Sequence, residues 1–259
     1  MSKKFIICLG IIILIVVAGV IWWYQKPAKQ ELEVVKKGKL VVGTDATYPP
    51  MEYFNEQGNF VGMDIDIAKE IALDLGIQTE FRNIVWEGIF NTLLAGEVDI
   101  LVSAITITPE RAEIMDFSDP YFNAGQVVMV MVNKVGEIKG VEDLTGKTIG
   151  VQTGTTSEIE AKKYTDPALV IAFADYDLAK SALLTQAIDA IIIDYPAAVG
   201  MVSEEKTLKV VGAPFTQEFY GIAVKKGEKE LLEEINKTIR RLKRDGKLKE
   251  FEEKWLSAN

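Results

Sequence analysis

The stretch LLAGEVDIL, residues 93–101, closes one helical pattern and opens a short apolar run bounded by acids. An amphipathic segment that starts near Glu87 ends at Ala95, Gly96 supplies the stop, and 98–102 is rich in aliphatic and β-branched residues. A run of that kind without polar alternation suits a strand buried on both faces, the habit of largely parallel sheets. LLTQAIDAI, residues 183–191, repeats the grammar with Asp189 in the place of Asp99, and 190–193 is its buried strand. A weaker echo pairs GKLVV at 38–42 with GKTIG at 146–150, at a different offset, so no fixed-period array is present. Two similar α/β lobes are the expectation.

Working outward, a β-prone run at 39–43 is broken by the turn residues TDATYPP at 44–50. Met63, Ile67, Ile71 and Leu75 fall at helical spacing before Gly76. The charge-rich tail at 227–256 carries Leu231, Leu232, Ile235, Ile239 and Leu242, then Phe251 and Trp255, at the spacing of two closing helices.

Composition narrows the chemistry. The 259 residues contain no histidine, which removes Ser-His-Asp and Cys-His nucleophilic sites and the commonest zinc and haem ligand sets. No metal or cofactor is expected. A net charge of −9 argues against a nucleic-acid groove, where neutralising phosphate supplies most of the affinity. The single cysteine, Cys8, can form no intramolecular disulfide.

Cys8 lies inside an uncharged run at 5–23, which as a helix rising about 1.5 Å per residue nearly crosses a hydrocarbon core of about 30 Å. Lys3 and Lys4 precede it and Trp22, Trp23 and Tyr24 close it, so 1–24 reads as a transmembrane anchor with a cytoplasmic amino terminus. A secretory signal is the rival, although no small-x-small cleavage site follows. Lipidation is not expected, because Cys8 follows Ile6 and Ile7 rather than small residues. Residues 25–38, polar and containing Pro27, read as a stalk outside any core, with the globular part starting near Lys39.

The segment SAITITPER, residues 103–111, follows a buried strand and runs into Thr108 as N-cap and Pro109 as first helical residue. Arg111 then stands in a first helical turn, where the helix dipole disfavours a cation, so an anion is expected beside it. With the hydroxyls of Ser103 and Thr106 and nearby amides, its planar guanidinium forms a carboxylate cradle. The alternative is an internal ion pair with Asp116 or Asp119. A second cradle reads at 151–157, VQTGTTS, or else Ser157 and Glu160 are an ordinary capping box. Asp194 ends the strand at 190–193, the edge where open α/β sheets bind ligands, and suits an ammonium group; it equally suits an N-cap before Tyr195 and Pro196. Asp45, Tyr48 and Trp86 could frame a side chain between aromatic faces, although a lone tryptophan is commonly core.

Taken together, the GMDIDI signature at 62–67, the 103–111 segment, the Gly154-Thr155-Thr156 turn and Asp194 resemble the family 3 solute-binding proteins, the polar amino acid receptors of ABC importers. The resemblance runs collinearly from about Gly38 to the carboxyl terminus. It implies an α/β, periplasmic-binding-protein-like type II fold of two lobes joined by a two-segment hinge, with crossings near 121–126 and 217–222. Lobe 1 would comprise 39–123 with 219–259 and lobe 2 124–218.

By the same resemblance, Arg111, Thr106 and the Thr156 amide region hold a ligand α-carboxylate. Asp194 and groups around Ser103 and Ala104 take the α-ammonium, while Asp45, Tyr48, Trp86 and Gln152 line the side-chain pocket. Asp64 is a helix cap and local organiser. An extracytoplasmic receptor for a free amino acid follows, partnered by a permease and by the membrane. Arginine, lysine or ornithine suits Asp45 beside aromatics, and glutamine is the runner-up because Asp45 and Gln152 can bond an amide. The same scaffold includes cyclohexadienyl dehydratases, an alternative that needs a carboxylate acid in the cleft. A sensor domain is a third class, disfavoured because only residues 1–4 precede the membrane run.

Overall fold

A computed structural model describes residues 32–256. The anchor or signal expected at 1–24, and the stalk up to residue 31, lie outside the described residues. The strands are β1 (Lys39–Thr44), β2 (Thr47–Tyr48), β3 (Glu52–Phe54), β4 (Phe60–Val61), β5 (Gln78–Asn83), β6 (Ile100–Leu101), β7 (Met115–Phe117), β8 (Phe122–Asn123), β9 (Gln126–Met131), β10 (Ile149–Gln152), β11 (Val170–Phe173), β12 (Ala190–Asp194), β13 (Leu208–Val211), β14 (Phe219–Tyr220) and β15 (Ala223–Lys225).

They build two five-stranded sheets, ordered β5-β1-β6-β15-β7 and β11-β10-β12-β9-β13. In each, the first three strands are parallel and the last two pairings antiparallel. The strands are short and aliphatic because both faces are covered. Along β9, Val127 and Met129 pack under the helices Tyr176–Leu184 and Tyr195–Glu204, while Val128 and Val130 join Ile149, Val151 and Ile192 on the other face. In the other lobe Leu40 and Val42 meet helix Met63–Leu75 and Ile235, Ile239 and Leu242 of helix Lys229–Arg244, whereas Val41 faces helix Trp86–Ala95. The pair β8·β14 is a separate two-stranded ribbon where the chain passes between the lobes, with Tyr220 fully buried against Phe122 and Tyr121.

Local signals are realised closely. Gly76 and Gly96 terminate their helices in the left-handed conformation. Gly62 has φ 131°, and a Cβ there would lie 2.1 Å from the Met51 carbonyl oxygen, so only glycine serves at the head of GMDIDI. Two readings differ. Residues Glu33–Lys37 form a helix whose Val34 is buried in the first lobe's core, so this end of the segment read as stalk packs on the globule. Asp64 is not a helix cap: Gly62 holds that position, and the Asp64 carboxylate instead accepts from Ala104 N (2.7 Å) and the Tyr121 hydroxyl (2.8 Å). The helix points that acid inward, where it organises the 103–108 turn.

Candidate ligand-binding site

The turn after β6 places the guanidinium. Thr108 caps helix Pro109–Ile114, its Oγ1 accepting from Arg111 N at 3.2 Å. Arg111 Nη1 donates to the Thr106 carbonyl (2.9 Å), Nη2 points across the cleft at the Gly154 carbonyl (3.5 Å), and the group lies over Trp86 and Phe90 at 5.3 and 5.1 Å from the ring centroids. The internal acids that could have neutralised it are taken: Asp116 pairs with Lys226 (2.9 Å) and Asp119 with Arg240 (3.0 Å). Among the described residues Arg111 forms no ion pair. Its burial lowers its pKa, opposed by the nearby charges of Glu218 and Asp194.

The second lobe presents Gly154, Thr155 and Thr156 after β10. The cap lies two residues earlier than Ser157 and Glu160: Thr155 Oγ1 accepts from Glu158 N (3.4 Å) and Glu158 accepts from Gly154 N (2.9 Å), because the helix starts at Thr156. The Thr156 hydroxyl donates to Glu218 Oε2 (2.7 Å), and Gln152 Nε2 donates to the Ala174 carbonyl (3.1 Å).

Asp194 ends β12 and stands at the N-cap of the next helix, yet its side chain caps nothing. One carboxylate oxygen accepts from the Tyr220 hydroxyl, and the other, Oδ1, is buried with no protein partner. Burial, reinforced by Glu218, pushes its pKa up to about 7; the Tyr220 and Tyr48 hydroxyls and Arg111 oppose the rise. A buried carboxylate oxygen without a donor is costly, and an ammonium group would supply one.

The hydroxyls of Ser103 and Thr106, expected in the cradle, are already committed to protein acids. Ser103 Oγ donates to Glu52 Oε1 (2.9 Å) and accepts from Asp45 N (2.9 Å), while Thr106 Oγ1 donates to Glu218 Oε2 (2.7 Å). Backbone groups at 103–106 are what remain. Ala104 adopts φ 48°, unusual for a residue with a Cβ, held there by its N–H bond to Asp64. Behind this turn Glu52 and Asp64 are two buried carboxyls. Burial and the Asp64 charge push Glu52 well above the carboxylate range, and burial raises Asp64 to about 6.

Asp45, Tyr48, Trp86, Ser103, Ala104, Thr106, Arg111, Gln152, Thr156 and Asp194 all line one cavity. Asp45 accepts from Thr47 Oγ1 (2.9 Å) and Trp86 N (3.0 Å), and burial raises its pKa. The aromatic partner of Tyr48 is Tyr176, at 5.7 Å between ring centroids, while Trp86 is occupied by Arg111. Sequence reasoning missed Tyr176, Glu52 and Glu218. Tyr176 was findable: it opens the helix after β11 as Trp86 opens the helix after β5, so the internal repeat points to it. Among the described residues no three His, Cys, Asp or Glu side chains are grouped to hold a metal ion.

Comparison with known proteins follows the same outline. The model of the family "Bacterial extracellular solute-binding proteins, family 3" matches residues 40–258. The ABC transporter glutamine-binding protein GlnH of Bacillus subtilis is 39% identical over 206 residues, 78% of this chain and 75% of GlnH. A crystal structure of a mutant ArgBP from T. maritima superposes with a TM-score of 0.81 at 41% identity, covering 86% of this chain and 97% of that one. An ancestral arginine-binding protein bound to glutamine gives a TM-score of 0.78 at 43% identity, covering 84% and 97%. The chain belongs to the family 3 extracellular solute-binding proteins, and its two-lobed fold is that of the family.

Proposed function

We propose that this family 3 solute-binding protein is an extracytoplasmic receptor that captures a free polar L-amino acid, a basic one by first choice, and delivers it to the permease of an ABC importer. The observation that carries the reading is the opposition inside one cavity of an ion-pair-free guanidinium on one lobe, Arg111, and a buried partnerless carboxylate oxygen on the other, Asp194 Oδ1. A zwitterion with its carboxylate on Arg111 and its ammonium on Asp194 satisfies both.

In this reading Arg111, the Thr106 backbone and the Thr156 region hold the α-carboxylate, and Asp194 with the Ser103–Ala104 turn takes the α-ammonium. Asp45, Tyr48, Tyr176, Trp86 and Gln152 surround the side chain. Among the described residues the cavity's acids Asp45 and Asp194, with buried Glu218 nearby, outnumber its one lining cation, the half-buried Arg111, which favours a ligand with net positive charge. Glutamine is the second ligand, since Asp45 and Gln152 also suit an amide. Lobe boundaries at 123/124 and 218/219, both at one end of the β8·β14 ribbon, complete the reading, as does an anchor at 1–24 that keeps the receptor at the outer membrane surface. Among the described residues no helix is long and apolar enough to cross a membrane.

The test is a thermal-shift panel of the twenty amino acids. Arginine, lysine or ornithine is expected to raise the unfolding temperature most, with glutamine next. Stabilisation by acidic or aliphatic amino acids alone overturns the ligand assignment.

A further inference from the structure

Glu218 is buried at 6% exposure on the returning crossover, just before β14. Its Oε2 accepts two hydroxyls, Thr106 Oγ1 and Thr156 Oγ1, each at 2.7 Å. Thr106 follows β6 in one sheet's lobe and Thr156 opens a helix after β10 in the other. The entering crossover is tied to the same point: Gln126 Nε2 donates to Thr156 Oγ1 (3.0 Å), Gln126 N to Thr216 Oγ1 (2.8 Å), and Ala124 N to the Glu218 carbonyl (2.7 Å). Although Glu218 exerts the strongest electrostatic pull on Arg111, it forms no ion pair with it, and the guanidinium keeps donors for a ligand.

One carboxylate oxygen that takes hydroxyls from opposite lobes is satisfied at only one lobe separation. Opening the cleft breaks at least one of two charge-assisted hydrogen bonds at a buried acid. We infer that Glu218 is an interlobe clasp, which stabilises the closed arrangement through the Thr106 and Thr156 hydroxyls and raises affinity by holding the lobes together. It is a positioning residue: apparent affinity scales with the population of the binding-competent state, so a weaker clasp weakens binding without altering the ligand contacts. The inference rests on the receptor reading proposed above, but half of its test needs no ligand.

Spin labels at Glu56→Cys and Lys206→Cys, exposed positions on the two lobes, in a Cys8→Ser background, report the interlobe distance by pulsed electron resonance. Glu218→Ala is expected to shift the ligand-free distribution to longer distances and to weaken L-arginine about 10- to 100-fold. Glu218→Gln, whose amide oxygen still accepts hydroxyls, lies between, and it carries the test with Thr156→Val if the alanine variant does not fold. Superimposable ligand-free distributions overturn the clasp. So does L-arginine bound as tightly or more tightly, the latter making Glu218 a competitor of the ligand carboxylate. If the wild type binds no L-arginine, the ligand assignment fails while the distance measurement still decides the clasp.

Discussion

The two lobes share one plan and differ in the charge they bring to the cleft. In each, a central parallel strand ends at the cavity, β1 at Asp45 and β10 at Gln152, and a helix after the edge strand opens with an aromatic residue, Trp86 or Tyr176. Each has an antiparallel insertion beside the third strand, but β15 arrives with the returning chain and β9 with the entering one. The strands β6 and β12 occupy equivalent places, yet β6 leads to Arg111 and β12 ends in Asp194. Equivalent backbone thus brings opposite charges to the cavity, as the proposed zwitterionic ligand requires. A ligand that bridges them has differential affinity for the closed state, the requirement for any ligand-driven closure.

Removing the cation breaks this comparison most severely. Arg111→Ala is expected to cost more than about 3 kcal/mol of binding, over a hundredfold, with the fold intact by circular dichroism. Unchanged calorimetric affinity would remove the carboxylate role. Asp194→Asn is expected to cost about 2 kcal/mol for α-amino acids and far less for α-deaminated analogues; equal losses for both would sever the link to the ammonium.

The same acid carries a pH signature. Its pKa is about 7 in the folded chain against an ordinary 3.8, so between those values the native state holds a proton that the unfolded chain has released. Its contribution to stability therefore falls as pH rises from about 4 to about 7. Ligand ammonium favours the ionised form, so affinity rises with pH up to about 7 and then levels, and binding at pH 6 releases protons. Calorimetry in buffers of different ionisation enthalpy reads that release, and Asp194→Asn abolishes it.

The smallest expected effect lies at the rim. A Cβ on Gly200 would meet the Pro49 carbonyl oxygen at 3.0 Å and Pro50 Cδ at 3.1 Å, a contact between the second lobe's helix and the first lobe's loop. Gly200→Ala is expected to cost about 1 kcal/mol, about fivefold in affinity, with every cavity side chain retained. No change in affinity would mean that this rim contact does not limit closure.

The helices Met63–Leu75 and Trp86–Ala95, the cap at Thr108 and the buried strand of 190–193 were legible because periodicity, caps and glycine stops act within a few residues. The cavity residues were legible in kind, through unusual placements such as a cation in a first helical turn and an acid at a strand's carboxyl end. Their hydrogen-bond partners were not. That Ser103 serves Glu52, that Thr106 and Thr156 serve Glu218, and that Asp64 braces Ala104 are contacts across 40 to 112 residues of chain, invisible to any local pattern. Alternation of strands and helices, the doubled lobe and the charges available were written in residue order, because they follow from local propensity and burial. Which donor met which acceptor was settled only when two crossings brought distant segments to one cleft, because a hydroxyl or carboxylate takes its role from what faces it.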